Sequence, residues 1–176
     1  MTKTIFLHIL CLFIAFAIKA QQLNTFTIQV QSHKGTKSFI SMNQQQASNA
    51  AEVKEKPKDY DLVLLETLDG TRTVLKWYNL SGKEIDLPNS LKGSNTLINA
   101  ISLDREQFDN CKTVKDFDRM TGHITKNALS HFASVSDDIS KGIIYHCFIV
   151  QQENGKRALM WLEEGDGQYL LNVKTI

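Results

Sequence analysis

The chain has 176 residues, 20 basic and 19 acidic side chains, a net charge of +1 with histidine neutral, and 42% hydrophobic residues. That length suits one domain with a sizeable core rather than several. The near-neutral balance, with Lys and Arg scattered and no basic stripe interleaved with aromatics, excludes nucleic acid as an expected partner.

The first twenty residues stand apart. Lys3 precedes an apolar run from Ile5 to Ile18, and the small Ala20 comes before polar Gln21 and Gln22, the layout of a secretory signal peptide. A run of about 14 residues is shorter than the roughly 20 a spanning helix needs. Cleavage near Gln21 is therefore expected, leaving residues 21–176 as one globular domain with no membrane anchor, in the periplasm or outside the cell. Cys11 lies inside the run, too early to serve as a lipid-anchored start. Removing the leader takes Lys3 and Lys19 with no acid, leaving 18 basic against 19 acidic residues.

From Leu23 to Gln31 the chain alternates, with Phe26, Ile28 and Val30 on one face, which predicts a half-buried strand. After a turn at His33-Lys34-Gly35-Thr36, Ser38 to Met42 gives a second short strand and an expected N-terminal hairpin. Gln45 to Lys56 carries Ala47, Ala50, Ala51 and Val53 on a narrow apolar side and reads as a helix ended by Pro57. Leu62-Val63-Leu64-Leu65 is apolar on both faces and predicts a central strand covered on both sides. Thr71 to Asn79, rich in Thr, Val, Trp and Tyr, pairs with it about Asp69-Gly70. From Ser81 to Gly93 the pattern lapses into a surface loop.

Asp104 to His131 reads as helical. Asp104 with Gln107 and Thr113 with Asp116 are box-like helix starts. Val114, Phe117 and Met120 recur at helical spacing, as do Ile124, Ala128, Leu129 and Phe132, with Gly122 between the two sets. The last third, Gly142 to Ile176, contains three strands separated by Glu153-Asn154-Gly155 and Gly165-Asp166-Gly167, because Asn and Gly supply the positive φ that tight hairpin turns require.

The titratable residues form no recognisable catalytic pattern. His146 and Cys147 are adjacent, but neighbours on a strand point to opposite faces. His33, His123 and His131 lack metal-ligand spacing, and Asp116 with Asp118, Asp137 with Asp138 and Glu163 with Glu164 are explained as solvated helix ends and turns. No cofactor-binding glycine loop or nucleophile elbow is present, so no cofactor, metal or catalytic residue is assigned. Cys111 and Cys147 remain after leader removal and are either a disulfide, if their Cα atoms come within about 7 Å, or two buried thiols. Trp77, Tyr78, Tyr145 and Tyr169 are the candidate ligand-platform aromatics, weighed against ordinary core packing, with Trp161 expected to be the most buried aromatic.

Ser38-Phe-Ile-Ser-Met42, the Ala-rich segment after it, Pro57-Lys-Asp-Tyr-Asp-Leu-Val-Leu-Leu65, Gly142-Ile-Ile-Tyr145 and Gly155-Lys-Arg-Ala-Leu-Met160 together resemble an uncharacterised domain of exported proteins from Bacteroidetes-type bacteria. The resemblance covers most of residues 21–176 and carries over no catalytic residue. Gln44-Gln45-Gln46 and the lack of a lipobox cysteine depart from it and put a surface-anchored lipoprotein role in doubt.

The expected fold is α+β (or α/β), a single domain with a mixed, mostly antiparallel sheet. The C-terminal strands and Leu62–Leu65 would lie near its centre, with helices packed on its faces. The expected function is a non-enzymatic binding or interaction module in the cell envelope, taking an unknown protein, peptide or glycan ligand. The alternative is a small exported hydrolase with a site assembled from dispersed residues.

Overall fold

The computed structural model describes residues 21–31, 37–69, 72–124, 126–135, 137–138, 143–144, 146–165 and 168–176. The predicted leader (1–20), the turn at 33–36, Gly70 and Thr71, Tyr145, and Asp166 with Gly167 lie outside the described residues.

The strands are β1 (Asn24–Val30), β2 (Lys37–Ser41), β3 (Gln46–Ser48), β4 (Leu62–Asp69), β5 (Arg72–Asn79), β6 (Leu97–Ile101), β7 (Phe132–Val135), β8 (Asp137–Asp138), β9 (Ile143–Ile144), β10 (Cys147–Gln151), β11 (Arg157–Gly165) and β12 (Gln168–Thr175). The helices are α1 (Ala50–Val53), α2 (Arg105–Asn110) and α3 (Val114–Thr121). Sheet 1 has the order β1-β12-β11-β10-β6 and sheet 2 the order β3-β2-β4-β5-β7, every pairing antiparallel.

The expected α+β class with one mixed sheet is therefore corrected. The protein is mostly β, two five-stranded antiparallel sheets face to face, with short helices outside them. The Leu62–Leu65 strand and the three C-terminal strands belong to different sheets. Sequence pattern shows that a strand is buried on both faces but not what covers each face. Here one face of each sheet meets the other sheet, and the opposite face carries helix or loop.

Alternation distributes the side chains into three layers. Ile28, Ile40, Leu62, Leu64, Trp77, Phe148, Met160 and Val173 fill the space between the sheets. Cys147, Ile149 and Leu159 face outward from sheet 1 and meet Phe108 of α2 and Phe117 of α3. Phe39 and Val63 face outward from sheet 2 and meet Val53, Tyr60, Leu80, Leu87 and Leu91. Leu62–Leu65, expected to be apolar on both faces, and the segment Cys147–Val150 are thus strands with two buried faces.

The expected N-terminal hairpin does not form. β1 pairs instead with the last strand over its whole length, from Asn24 opposite Thr175 to Val30 opposite Tyr169, and β2 pairs with β3 and β4. The helix expected over Gln45 to Lys56 is shortened to α1. Gln45 takes a positive φ of 56° and turns the chain into β3, and the Asn49 side chain then caps α1 by accepting from the amides of Ala51 and Glu52. Both predicted capping boxes are present, at Asp104–Gln107 and Thr113–Asp116. The second helical set is corrected: Lys126–Ala128 forms a single 3-10 turn and Phe132 begins β7.

The span from Ser81 to Gly93 is a loop as expected, but it is packed rather than peripheral, since Leu87 and Leu91 are buried. Gly93 permits this: a Cβ there would lie 2.3 Å from the Pro57 carbonyl oxygen, and its amide donates to the Leu80 carbonyl at 2.9 Å. β6 carries no strand signature of its own in the sequence. It forms one edge of sheet 1 and is joined to the chain entering β7 by paired 2.9 Å bonds between Ile98 and Ser130. Turn chemistry held at Gly155, whose φ of 86° closes the β10–β11 hairpin.

Candidate functional site

Two outer surfaces carry the side chains able to recognise or react. On sheet 1, strand alternation places Thr27, Asn172 and Glu163 in a row beneath α2. Thr27 Oγ1 donates to Asn172 Oδ1 at 2.9 Å, Asn172 Nδ2 donates to Glu163 Oε1 at 3.0 Å, and Arg105 pairs with both Glu163 and Asp109. The Arg105 guanidinium also lies 5.7 Å from the Trp161 ring centroid, and His146 stacks on Trp161 at 5.7 Å. His146 Nδ1 donates to the Leu162 carbonyl at 3.2 Å, because a carbonyl can only accept.

Next to this row Lys174 is 9% exposed and donates to the carbonyls of Phe108, Asp109 and Cys111 at 2.5, 3.1 and 2.8 Å. It supplies the donor that the C-terminal carbonyls of α2 lack, and its ammonium sits 4.6 Å from the Phe108 ring centroid. Burial holds its pKa below the ordinary lysine value. A cleft of about 280 Å³ opens here, lined by Thr25, Thr27, Arg105, Phe108, Asn172 and Lys174 among others. Its cations are already engaged with carboxylates, carbonyls and rings, so the cleft joins α2 to the sheet rather than offering a free charge.

The second surface is the β5–β7 edge of sheet 2. Tyr78 and Phe132 are directly opposite in register and their rings stack, with centroids 6.2 Å apart and an interplanar angle of 28°. Phe132 is 44% exposed, the exposed large hydrophobic side chain among the described residues. Lys76 and Ser134, also opposite each other, lie on the same face two residues along.

The pair is fixed from the end of the strand. Asn79, 1% exposed, accepts at Oδ1 from the amide and hydroxyl of Ser81, which orients its Nδ2 as donor to Asn95 Oδ1 at 3.1 Å and to His131 Nδ1 at 2.8 Å. The Asn79 amide donates to the His131 carbonyl at 2.8 Å. His131 Nδ1 is therefore the acceptor, and Lys83 Nζ stands 3.4 Å from its Nε2. The strip of rings is anchored at its end by the part-buried hydrogen bonds around buried Asn79, an arrangement that preorganises a contact surface.

The sequence candidates scatter. Trp77 is wholly buried between the sheets, edge-on to Phe148 at 6.2 Å, and is a core residue rather than a platform. Trp161, expected to be the most buried, is half-buried under α2. The reason is register: Trp77 falls on the inner face of β5, whereas Trp161 falls on the outer face of β11. Tyr169 is half-buried and packs against the inter-sheet core, and burial with nearby Glu164 and Glu66 raises its hydroxyl pKa. Tyr145 lies outside the described residues. Of the three that are described, only Tyr78 forms an aromatic contact at the surface, and its partner Phe132 escapes the sequence pattern because Ile124, Ala128, Leu129 and Phe132 match a helical period by coincidence. Phe132-Ala-Ser-Val, alternating outward and inward with no helix cap before it, was the available signal.

Cys111 and Cys147 are both free and buried, in one apolar cluster. Burial raises both thiol pKa values, that of Cys147 to about 12. Asp61 is the remaining buried carboxylate of note. It accepts from the Met42 amide at 2.8 Å and from Gln152 Nε2 at 2.9 Å, tying sheet 2 to the β10–β11 turn, and burial raises its pKa despite those bonds. No group of three or more His, Cys, Asp or Glu among the described residues is placed to hold a metal ion.

No family model and no curated protein matches this sequence. Among solved structures, the fold is similar to that of a DUF4466 family protein from Parabacteroides merdae ATCC 43184, with a TM-score of 0.55 and 16% identity. The match covers 89% of this chain and 53% of that one, so this chain spans about half of its length. The likeness shows the fold alone. That neighbour comes from a Bacteroidetes bacterium, which is consistent with the resemblance to an uncharacterised Bacteroidetes domain.

Proposed function

We propose that the protein is an exported, non-enzymatic binding module that takes a glycan on the Tyr78–Phe132 strip. The observation that carries this reading is Phe132, left 44% exposed and stacked on Tyr78 over a hydrogen-bonded support. Burying an aromatic ring is strongly favourable, so a ring held at the surface on a rigid base is suited to a partner that covers it. Parallel rings suit the C–H face of a sugar, while Lys76, Ser134 and Lys83 along the same edge suit its hydroxyls. Export is supported by the Lys3, Ile5–Ile18 and Ala20 leader pattern.

The test is a glycan array probed with the full chain and with Phe132→Ala and Tyr78→Ala variants. The reading expects saccharide binding that weakens at least about tenfold in either variant, a loss of roughly 1.4 kcal/mol. Saccharide binding left intact by both variants would move the site off the strip. Capture of peptides alone would replace the ligand class.

A further inference from the structure

We propose that His131 and Lys83 form a fork of two hydrogen-bond donors for an oxyanion, so that the glycan taken by the Tyr78–Phe132 strip is an acidic one, carrying a carboxylate or a sulfate ester. The ligand class rests on the glycan reading above, and the site rests on the geometry around Asn79. Ser81 fixes that geometry. Its amide and hydroxyl both donate to Asn79 Oδ1, at 3.3 and 2.8 Å, so the side-chain amide has one orientation and its Nδ2 donates to His131 Nδ1 at 2.8 Å. A neutral imidazole has one acceptor nitrogen and one donor nitrogen. With Nδ1 accepting, Nε2 carries the proton.

The group facing that proton is Lys83 Nζ, 3.4 Å away. An ammonium has three donors and no acceptor, so the two nitrogens make no bond to each other and both are left to an acceptor from outside the chain. Among the described residues no carboxylate forms an ion pair with Lys83. Glu84 and Asp86 follow it in the same loop, exposed and paired with no lysine there, and Glu153 accepts from the Asn95 amide at 3.4 Å. Gly82, with a φ of 76°, turns the chain just before Lys83, and the stem of Lys92 lies across it, since a Cβ there would be 2.7 Å from Lys92 Cε. A hydroxyl oxygen satisfies the two donors but leaves the ammonium without a counter-charge. A carboxylate or sulfate supplies several acceptor positions and the charge together, and charge-assisted bonds are the stronger kind.

The fork lies one residue past the ring pair on both strands: Asn79 follows Tyr78, His131 precedes Phe132, and the Asn79 amide donates to the His131 carbonyl at 2.8 Å. Alternation turns the His131 side chain to the other side of β7 from Phe132, and β7 is an edge strand of sheet 2. The oxyanion therefore belongs to a saccharide unit that extends past the strand end, next to the unit stacked on the rings.

The test titrates the full chain and Lys83→Gln with an oligogalacturonate, with the same oligomer after its carboxylates are reduced to alcohols, and with a sulfated galactan oligomer, while nitrogen NMR follows the histidine rings. At least one acidic oligomer should bind about tenfold or more tightly than the neutral one, with a preference that shrinks as salt rises and falls below about twofold in Lys83→Gln. The carboxylate and sulfate arms tell which oxyanion is taken. His131 should hold its proton on Nε2, and that resonance should move when the acidic oligomer is added. Equal binding of acidic and neutral oligomers overturns the inference and leaves the strip reading standing. A proton found on Nδ1 overturns it too, because Lys83 then donates to Nε2, as does a preference unchanged in Lys83→Gln. If no oligomer binds, the glycan reading fails and sodium sulfate alone decides the fork: a shift at His131 Nε2 that is lost in Lys83→Gln supports it, and no shift overturns it.

Discussion

The two outer faces of the sandwich are covered by different means. On sheet 1 the cover is α2 and α3, held by an apolar cluster around Phe108 and Phe117, by buried Lys174 on three carbonyls, and by more exposed pairs: Arg105 between Glu163 and Asp109, and Arg157 on Asp118 at 2.8 Å with its guanidinium 5.2 Å from the Phe117 ring centroid. On sheet 2 the cover is α1 and the 81–93 loop, held by Leu80, Leu87, Leu91 and Val53. That cover stops short of the β7 edge and leaves Phe132 in solvent. A short helix exposes carbonyls at its end and so brings polar partners with it, whereas a loop can press apolar side chains directly onto a sheet. The first face is a fastening and the second has an opening.

This contrast can be broken in order of expected effect. Phe117→Ala removes a wholly buried ring from the sheet 1 cover and should cost about 3–5 kcal/mol, read as a lowered denaturant midpoint with an unchanged slope. A loss below about 1 kcal/mol would show that α3 is not essential to the fastening. Lys174→Met keeps the side-chain volume but leaves three carbonyls at the end of α2 without their donor. It should cost about 1–3 kcal/mol, with hydrogen exchange rising first in α2.

Asp61 gives a pH signature between the sheets rather than on either face. Its carboxyl is raised in the folded state by burial, so the folded chain holds that proton more tightly than the unfolded one. The associated stability is fully present below the ordinary aspartate value and is lost as pH rises through the raised value. Denaturation of the wild type and Asp61→Asn across the acid range should therefore show the wild type losing ground to the variant as pH rises through that window. A constant difference would remove the assignment. Phe132→Ala should change stability least, within about 0.5 kcal/mol, because the ring is already half in water. A large loss would turn the strip from a contact surface into part of the core.

Legibility in the sequence followed the range of the interaction. Asp104–Gln107 and Thr113–Asp116 were read correctly because a capping box is complete within four residues. Gly155 was read correctly because a positive φ is a property of one residue, and Leu62–Leu65 because burial on two faces leaves an apolar run. No such signal marks β6, since Leu97-Ile-Asn-Ala-Ile101 is short and makes sense only beside β10. Phe132 was misplaced because four apolar residues can satisfy a helical period without forming a helix.

By itself, then, the chain determined its local pieces: helix starts, hairpin turns, doubly buried strands and an N-terminal stretch with the pattern of a leader. Only the tertiary structure decided that these pieces form two sheets rather than one, that β1 closes on β12 instead of β2, and that Trp77 is core while Phe132 lies at the surface. The physical reason is common to all three. Caps and turns are satisfied by neighbours in sequence, but the partner of a strand edge and the cover of a strand face come from residues far along the chain, and the same alternation accommodates many of them.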